Sequence, residues 1–369
     1  MARLLLQALA AGGHRAELAT RLRMYEPAGD PVRQAALAAE AEAEAARLVA
    51  AFGAETDGRP DAWLTYHVYH KAPDVVGPLV CAALDLPYLI VEPSVAGKRR
   101  EGPWADGFAR AASAIRQADR LLCMTRHDLP GVAALAGGDR LDLLPPFLDP
   151  APFAAARRQA AASRAALADR LGLPADAAWL LAVGMFRPGD KLASYRRLAA
   201  ALALLGRRAA GEPSWRLLVA GDGPAAAEVR AAFAGLADPV CWLGQVDEND
   251  LPALYAACDL LVWPAANEAY GMAMLEAAAA GCPVVSCATR GVPDVVWHGE
   301  TGLLVPEDDA TAFAAAVDAL LRDPARRHRF GAAGADRVAA DRDLAATAAR
   351  LDAALDAARA SRRERMAAS

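Results

Sequence analysis

Between residues 179 and 305 the chain repeats one pattern six times. Short, almost wholly apolar runs lie at 179–183, 215–220, 240–243, 260–263, 283–286 and 303–305. Segments of helical composition separate them, at about 192–206, 224–235, 249–257, 271–280 and 291–297. Runs this short and this uniformly apolar read as strands buried on both faces. Parallel neighbours need a crossover connection, so strand–helix alternation commits the chain to a parallel sheet with helices on both sides. Further helices follow at about 309–321 and 325–355. The result is a doubly wound domain, whose ligands sit at the carboxyl ends of the strands. That rule narrows the search to four strand ends: residues 184–191, Gly221-Asp222-Gly223, Gly244-Gln245 and 264–268.

The first half alternates in the same way. Strands are expected at 15–22, 63–67, 87–92, 120–124 and 141–144. Helices are expected at 2–12, from Asp30-Pro31 to about 52, and at 73–84, 104–118 and 127–135. A βαβ half normally opens on a strand, and this one opens on a helix whose Leu4, Leu5, Leu6 and Leu9 need a surface to cover. Either the sheet begins with the run at Arg15, or the chain begins late and lacks a first strand and its loop. The second reading expects a β-strand and a glycine-containing loop to be encoded upstream of Met1. Prolines at 145, 146, 150, 152 and 174 bracket an alanine-rich helix and mark a connection. The division is therefore 1–150 for one domain, 151–175 for a linker, 176–330 for the second domain, and 331–369 for carboxyl-terminal helices and a tail.

The chain has 369 residues, 55% hydrophobic and 23% charged, enough apolar material for two packed cores. A net charge of −5 argues against nucleic acid as a partner. Six cysteines form no CxxC pair and sit mostly in apolar runs, as reduced core residues of a cytoplasmic protein do. No apolar run is long enough to span a membrane. The basic tail Arg362-Arg363-Glu364-Arg365 reads as a solvated end, with peripheral attraction to the anionic inner face of a membrane as the alternative.

Two carboxylates, Glu268 and Glu276, lie eight residues apart across a loop-to-helix boundary. Gly271 sits at the entry to the helix, and Gly281 with Pro283 ends it. A helix N-terminus offers unpaired N–H groups to a phosphate. Glu276 shares a face with Met272 one turn inside, where a carboxylate can accept hydrogen bonds from sugar hydroxyls. Solvated helix-end acids are the plain alternative. It is disfavoured because the rest of the element is Ala, Met and Leu. Arg187 and Lys191 leave the strand before Gly184 and could hold a diphosphate, although two surface cations alone would mean little. Gly221-Asp222-Gly223 lacks the third glycine of a dinucleotide fingerprint and reads as a tight turn beside a nucleotide. His67, His70 and Glu92 end strands in the first half. They are acceptor-side candidates, with loop or core histidines as the plain reading and no third ligand for a metal. Trp242, Trp263 and Trp297 read as packing.

In order and spacing these segments resemble the donor-binding domain of family 4 retaining glycosyltransferases. The carriers of the likeness are Gly184 with Arg187 and Lys191, Gly221-Asp222-Gly223-Pro224 and Trp242-Leu243-Gly244. Further on come the stretch from Ala257 to Pro264, the Glu268/Glu276 pair, Gly281-Cys282-Pro283-Val284-Val285 and the stretch from Gly299 to Val305. The resemblance implies the GT-B fold: α/β, two Rossmann-like doubly wound domains facing a cleft, here with the first strand of the amino-terminal domain missing. It implies a nucleotide-sugar donor, an unidentified acceptor such as a polysaccharide or glycolipid precursor, and metal-independent transfer with retention and no cofactor. Arg187 and Lys191 would hold the diphosphate, helped by the N–H groups of Gly271 and Met272. Glu276 would bind the ribose and Glu268 the transferred sugar. The acceptor-side histidine of the family is not plainly matched, and Glu92 stands where it is expected. Two other readings compete: a catalytically silent nucleotide-sugar-binding protein or N-terminally truncated glycosyltransferase, and a GT-B sugar-nucleotide epimerase.

Overall fold

The computed structural model describes residues 1–54, 58–174, 176–206, 214–236 and 240–367. The chain forms two compact units: Met1–Pro145 with Leu344–Ser369, and Pro146–Asp343. The segment 151–174, expected to connect the domains, groups with the second unit, and Ala175 lies outside the described residues.

The first unit is built on a four-stranded parallel sheet in sequential order: β1 (Trp63–Val68), β2 (Tyr88–Pro93), β3 (Arg120–Cys123) and β4 (Leu141–Leu143). Helices α3 (Val76–Leu84), α4 (Ala105–Gln117) and α5 (Leu129–Ala136) connect them. All three connections step the same way, and right-handed crossovers that do so share one face of a sheet. Helix α2 (Pro31–Ala54) packs on α3. Helix α1 (Ala2–Ala11) buries Leu5 and Leu9, leaves Leu6 exposed, and packs on the last helix of the chain, α14 (Leu344–Ala367), which also meets β2 and β3. The expected strand at 15–22 does not form. Its apolar alternation is out of phase with the packing: Leu18 is 73% exposed, whereas Ala19, Leu22 and Met24 rest on the core. Local strand propensity without a ladder partner leaves extended coil.

The tail is also not simply solvated. Arg362 donates to Asp85 at 2.7 Å and to the buried Asp119 at 3.2 Å, and Asp119 in turn accepts the Tyr88 amide at 2.7 Å. The side chain of Arg365 lies outside the described residues.

The second unit contains α6 (Ala151–Arg158), α7 (Ala160–Leu171) and a six-stranded parallel sheet in the order β10-β9-β8-β5-β6-β7. The strands are β5 (Ala178–Val183), β6 (Trp215–Ala220), β7 (Val240–Gly244), β8 (Leu260–Trp263), β9 (Val284–Cys287) and β10 (Gly302–Val305). Leu180, Leu181, Leu217, Leu218, Leu260 and Leu261 are all fully buried, which is why these runs show no polar alternation. Each such burial contributes about 1.5–3 kcal/mol. The chain winds outward from β5 through β6 to β7, then returns to the other side of β5 for β8, β9 and β10. The order therefore reverses between β5 and β8, the position where a doubly wound sheet opens a crevice.

Helices α8 (Asp190–Leu205), α9 (Ala226–Ala232), α10 (Leu251–Ala257), α11 (Met272–Ala279) and α12 (Ala310–Arg322) follow the expected pattern. The helix expected at 291–297 is reduced to one 3-10 turn at Val292–Asp294. The helix expected over 325–355 is two helices, α13 (Pro324–Asp341) and α14, belonging to different units. Arg164 of α7 fastens the second unit's entry segment. It donates to the carbonyls of Ala257 at 2.8 Å and Ala177 at 2.7 Å and to Asp259 at 2.9 Å, with its guanidinium 4.2 Å from the centre of the Trp179 ring.

Candidate functional site

Three loops at the carboxyl ends of β5, β6 and β7 are zipped by their backbones. The amide of Gly184 donates to Ala220, that of Phe186 to Asp222, and that of Gly221 to Gly244, at 2.8–3.0 Å. Contact between Gly221 and the first loop is so close that a Cβ there would lie 2.0 Å from the Gly184 carbonyl oxygen. On the other side of the switch point, Pro264 follows β8, and Ala265 and Asn267 turn through left-handed conformations with φ of 56° and 50°. Non-glycine residues in this region cost energy, and such strain gathers at ligand sites. The turn is held from α8: Ala266 donates to Ser194 Oγ at 2.9 Å, and Asn267 bonds Asp190 at 2.8 Å and receives a bond from Arg290 at 2.9 Å.

Between these loops lies an open cavity of about 610 Å³, lined among others by Gly184, Lys191, Gly221, Gln245, Glu268 and Met272. Its volume is that of a small-molecule site. Lys191 Nζ stands 2.6 Å from Glu268 Oε2. The same oxygen accepts a long bond from Trp263 Nε1 at 3.4 Å, and the ammonium lies 5.4 Å from the centre of that indole. Trp263, expected as a packing residue, does pack on Tyr195, and it also forms part of the cavity wall.

Gly271 caps α11 with φ 74°, a conformation that only glycine adopts without strain. No side chain caps this helix, so its first N–H groups, with Gly271, Met272 and Ala273 on the wall, face a cavity able to take an anion. Glu276 lies one turn further in. Burial pushes its carboxyl up to about 7, against the Tyr255 hydroxyl, which donates to it at 3.0 Å and favours the charged form. Tyr255 escaped the sequence reading because an apolar helix face was its only signal. Arg187 is exposed and lies outside the cavity wall, with its guanidinium 2.9 Å from Met185 Sδ. The structure thus brings Gly184, Lys191, Gly221, Glu268, Gly271 and Met272 to one cavity, places Glu276 behind it, and leaves Arg187 at its edge in sequence.

In the first unit, His67 and Glu92 are the penultimate residues of β1 and β2, both left-handed, at φ 63° and 60°. Their side chains approach to 3.9 Å, and His67 stacks on Tyr69 at 4.5 Å. Burial raises the Glu92 carboxyl above the usual range, and His67 opposes that shift. His70 does not join them. It faces Trp104 edge-on at 5.9 Å. No group of three or more His, Cys, Asp or Glu that could share a metal ion occurs among the described residues. All six cysteines are free, and five are buried. Among the described residues no helix is long and apolar enough to cross a membrane.

Two parallel-sheet units, the second with a cavity at its switch point, define a GT-B architecture. A solved structure with this likeness is Anabaena Alr3699/HepE in complex with UDP, with a TM-score of 0.70 at 18% identity over 85% of this chain and 82% of that one. Residues 168–337 match the family described as glycosyl transferases group 1. Among curated relatives, the D-inositol 3-phosphate glycosyltransferase of Stackebrandtia nassauensis is 33% identical over 61% of this chain and 51% of its own length. Its namesake in Thermobispora bispora is 37% identical over 63% and 55%. The match therefore spans about half the length of these curated relatives.

Proposed function

We propose that the chain transfers a sugar from a nucleotide-sugar donor to an acceptor with retention of configuration, and that the second unit holds the donor. The observation that carries this is the cavity at the switch point, where a lysine, an uncapped helix N-terminus and the Glu268 carboxylate meet, with Glu276 behind them. The diphosphate takes the N–H groups of Gly271 and Met272, with Lys191 and Arg187 as cations. Glu276 accepts the ribose hydroxyls, and Glu268 contacts the transferred sugar. As the bond from the sugar's anomeric carbon to the phosphate oxygen breaks, the acceptor oxygen attacks the same face and its proton passes to the departing diphosphate. Fixed cations stabilise the charge that develops there. No cofactor or metal enters this scheme, the nucleotide sugar being a substrate.

Uridine is the favoured base, because HepE was solved with UDP and with UDP-glucose. A phosphorylated cyclitol joins polysaccharide and glycolipid precursors as an acceptor class, on the names of the relatives. A cytoplasmic setting suits six free cysteines, with peripheral contact at the inner membrane face as the alternative.

The test pairs binding with turnover. Nucleoside diphosphates should raise the melting temperature of the full chain, UDP most. UDP-glucose should be consumed in the presence of a suitable acceptor, and Arg187→Ala with Lys191→Ala should slow this by about 100-fold or more. Binding with no turnover across a broad acceptor panel would favour the silent binding protein. Interconversion of free sugar nucleotides would favour the epimerase.

A further inference from the structure

We propose that the first unit carries a phosphate-binding subsite, formed by Lys71, Lys98 and Arg99 around His70 and Trp104, which holds a phosphate group of the molecule that receives the sugar. The acceptor role rests on the transfer reading above; the anion site itself does not.

Charge is the first argument. The 3-10 turn Gly97–Arg99 follows β2 and places Lys98, Arg99 and Arg100 in succession. Lys71 comes in from the end of β1. The Arg99 guanidinium and the Lys71 ammonium lie 4.5 Å and 4.9 Å from the centre of the same indole, that of Trp104. Cations gathered on one ring favour an anion beside them. None of the three forms an ion pair among the described residues, and the carboxylates of Asp106 and Glu26 are engaged. Asp106 holds Arg110 at 2.8 Å, and the Glu26 carboxylate is filled by the amides of Ala28, Gly29 and Asp30. Burial, and after it the charges of Arg99, Lys71 and Lys98, lower the pKa of His70.

The second argument is unmet hydrogen bonding. Both ring nitrogens of His70, Arg99 Nε and Trp104 Nε1 are buried without a partner. Buried polar groups in a folded protein are nearly always paired, and four orphans in one cluster mark a place where a polar ligand belongs. A solvated run of surface cations would show no such atoms.

The cluster is also anchored. Gln34 bonds the Pro103 carbonyl at 2.8 Å and accepts the Gly107 amide at 3.0 Å, so the segment bearing Arg99 and Trp104 is pinned to α2 and α4. Helix α4 crosses the His70 carbonyl so closely that a Cβ on Gly107 would lie 2.1 Å from it. The Glu26 amide donates to the Lys71 carbonyl at 2.8 Å. A guanidinium fork and two ammonium groups suit a doubly charged tetrahedral anion better than a single carboxylate.

The test is calorimetric titration of the full chain with its donor pocket saturated by UDP. The probes are glucose 6-phosphate, glucose and vesicles of phosphatidylglycerol. Glucose 6-phosphate should bind the wild type at least tenfold more tightly than the Lys98→Gln/Arg99→Gln variant, glucose should bind neither, and UDP affinity should be the same in both proteins. Equal affinity of glucose 6-phosphate for the two proteins overturns the proposal, as does capture by vesicles alone. If UDP fails to bind the wild type while glucose 6-phosphate still separates the two proteins, the donor reading falls and the anion site stands.

Discussion

Replacing Glu276 with glutamine should make the protein more stable and its donor binding weaker, and the first effect should depend on pH in a defined direction. Burial lifts the Glu276 carboxyl from an ordinary value of 4.5 to about 7. At about 1.4 kcal/mol per pH unit, ionising it in the empty site costs up to about 3 kcal/mol. The folded state holds this proton more tightly than the unfolded chain does. Between pH 4.5 and 7 the folded protein is therefore the more protonated state, and its stability falls as pH rises through that window. Glutamine keeps an oxygen for the Tyr255 hydroxyl and never ionises. The Glu276→Gln variant should match the wild type near pH 5 and exceed it by up to about 3 kcal/mol at pH 8. For a domain of the second unit's size that is a melting-temperature gain on the order of 6–12 °C. Scanning calorimetry of both proteins at pH 5, 6, 7 and 8 reads it directly. If the carboxylate also accepts ribose hydroxyls, the same variant should bind UDP about tenfold or more weakly at pH 8. A melting difference that stays constant from pH 5 to 8, or a variant less stable than wild type at pH 8, would refute the reasoning.

Two further outcomes follow from contacts within the second unit. Glu268→Gln releases Lys191 from its 2.6 Å ion pair, so UDP should bind several-fold more tightly at low salt while sugar transfer slows; unchanged UDP affinity in a fluorescence or calorimetric titration would mean the pair does not compete with the diphosphate. Arg164→Ala leaves Asp259 and two carbonyls short of a donor and should cost about 2–3 kcal/mol in thermal denaturation, with Arg164→Lys recovering little because an ammonium cannot fork to three acceptors.

The second unit was legible in the sequence because its strands are buried on both faces. A run such as Leu217–Ala220 cannot be anything but interior, and β6 and β8 fall where the apolar runs do. Edges and breaks were less visible. The run at 15–22 carries strand-like alternation, yet only a paired neighbour makes a strand, and the ladder is a tertiary fact. The break between α13 and α14 was masked by alanines on both sides, where helix propensity is high everywhere and a boundary leaves little trace. In the site, glycines and acids announced themselves through their spacing. The bond between Lys191 and Glu268 spans 77 residues, and the turn at Ala265 uses a left-handed conformation that alanine does not advertise. Arg362 looked like a loose basic end because Asp85 and Asp119 are its neighbours only after folding.

The return of α14 to the first unit has a consequence for how the protein is made. The second unit is one unbroken stretch and holds every residue of its own core once Asp343 has been synthesised. The first unit is split: α1 waits for a helix encoded more than 330 residues later, as do Asp85 and Asp119 for Arg362. On the ribosome, then, order runs against sequence. The half that emerges first is completed last, and until the final helix arrives the leucines of α1 and the faces of β2 and β3 that receive α14 are left open to solvent, to chaperones and to one another.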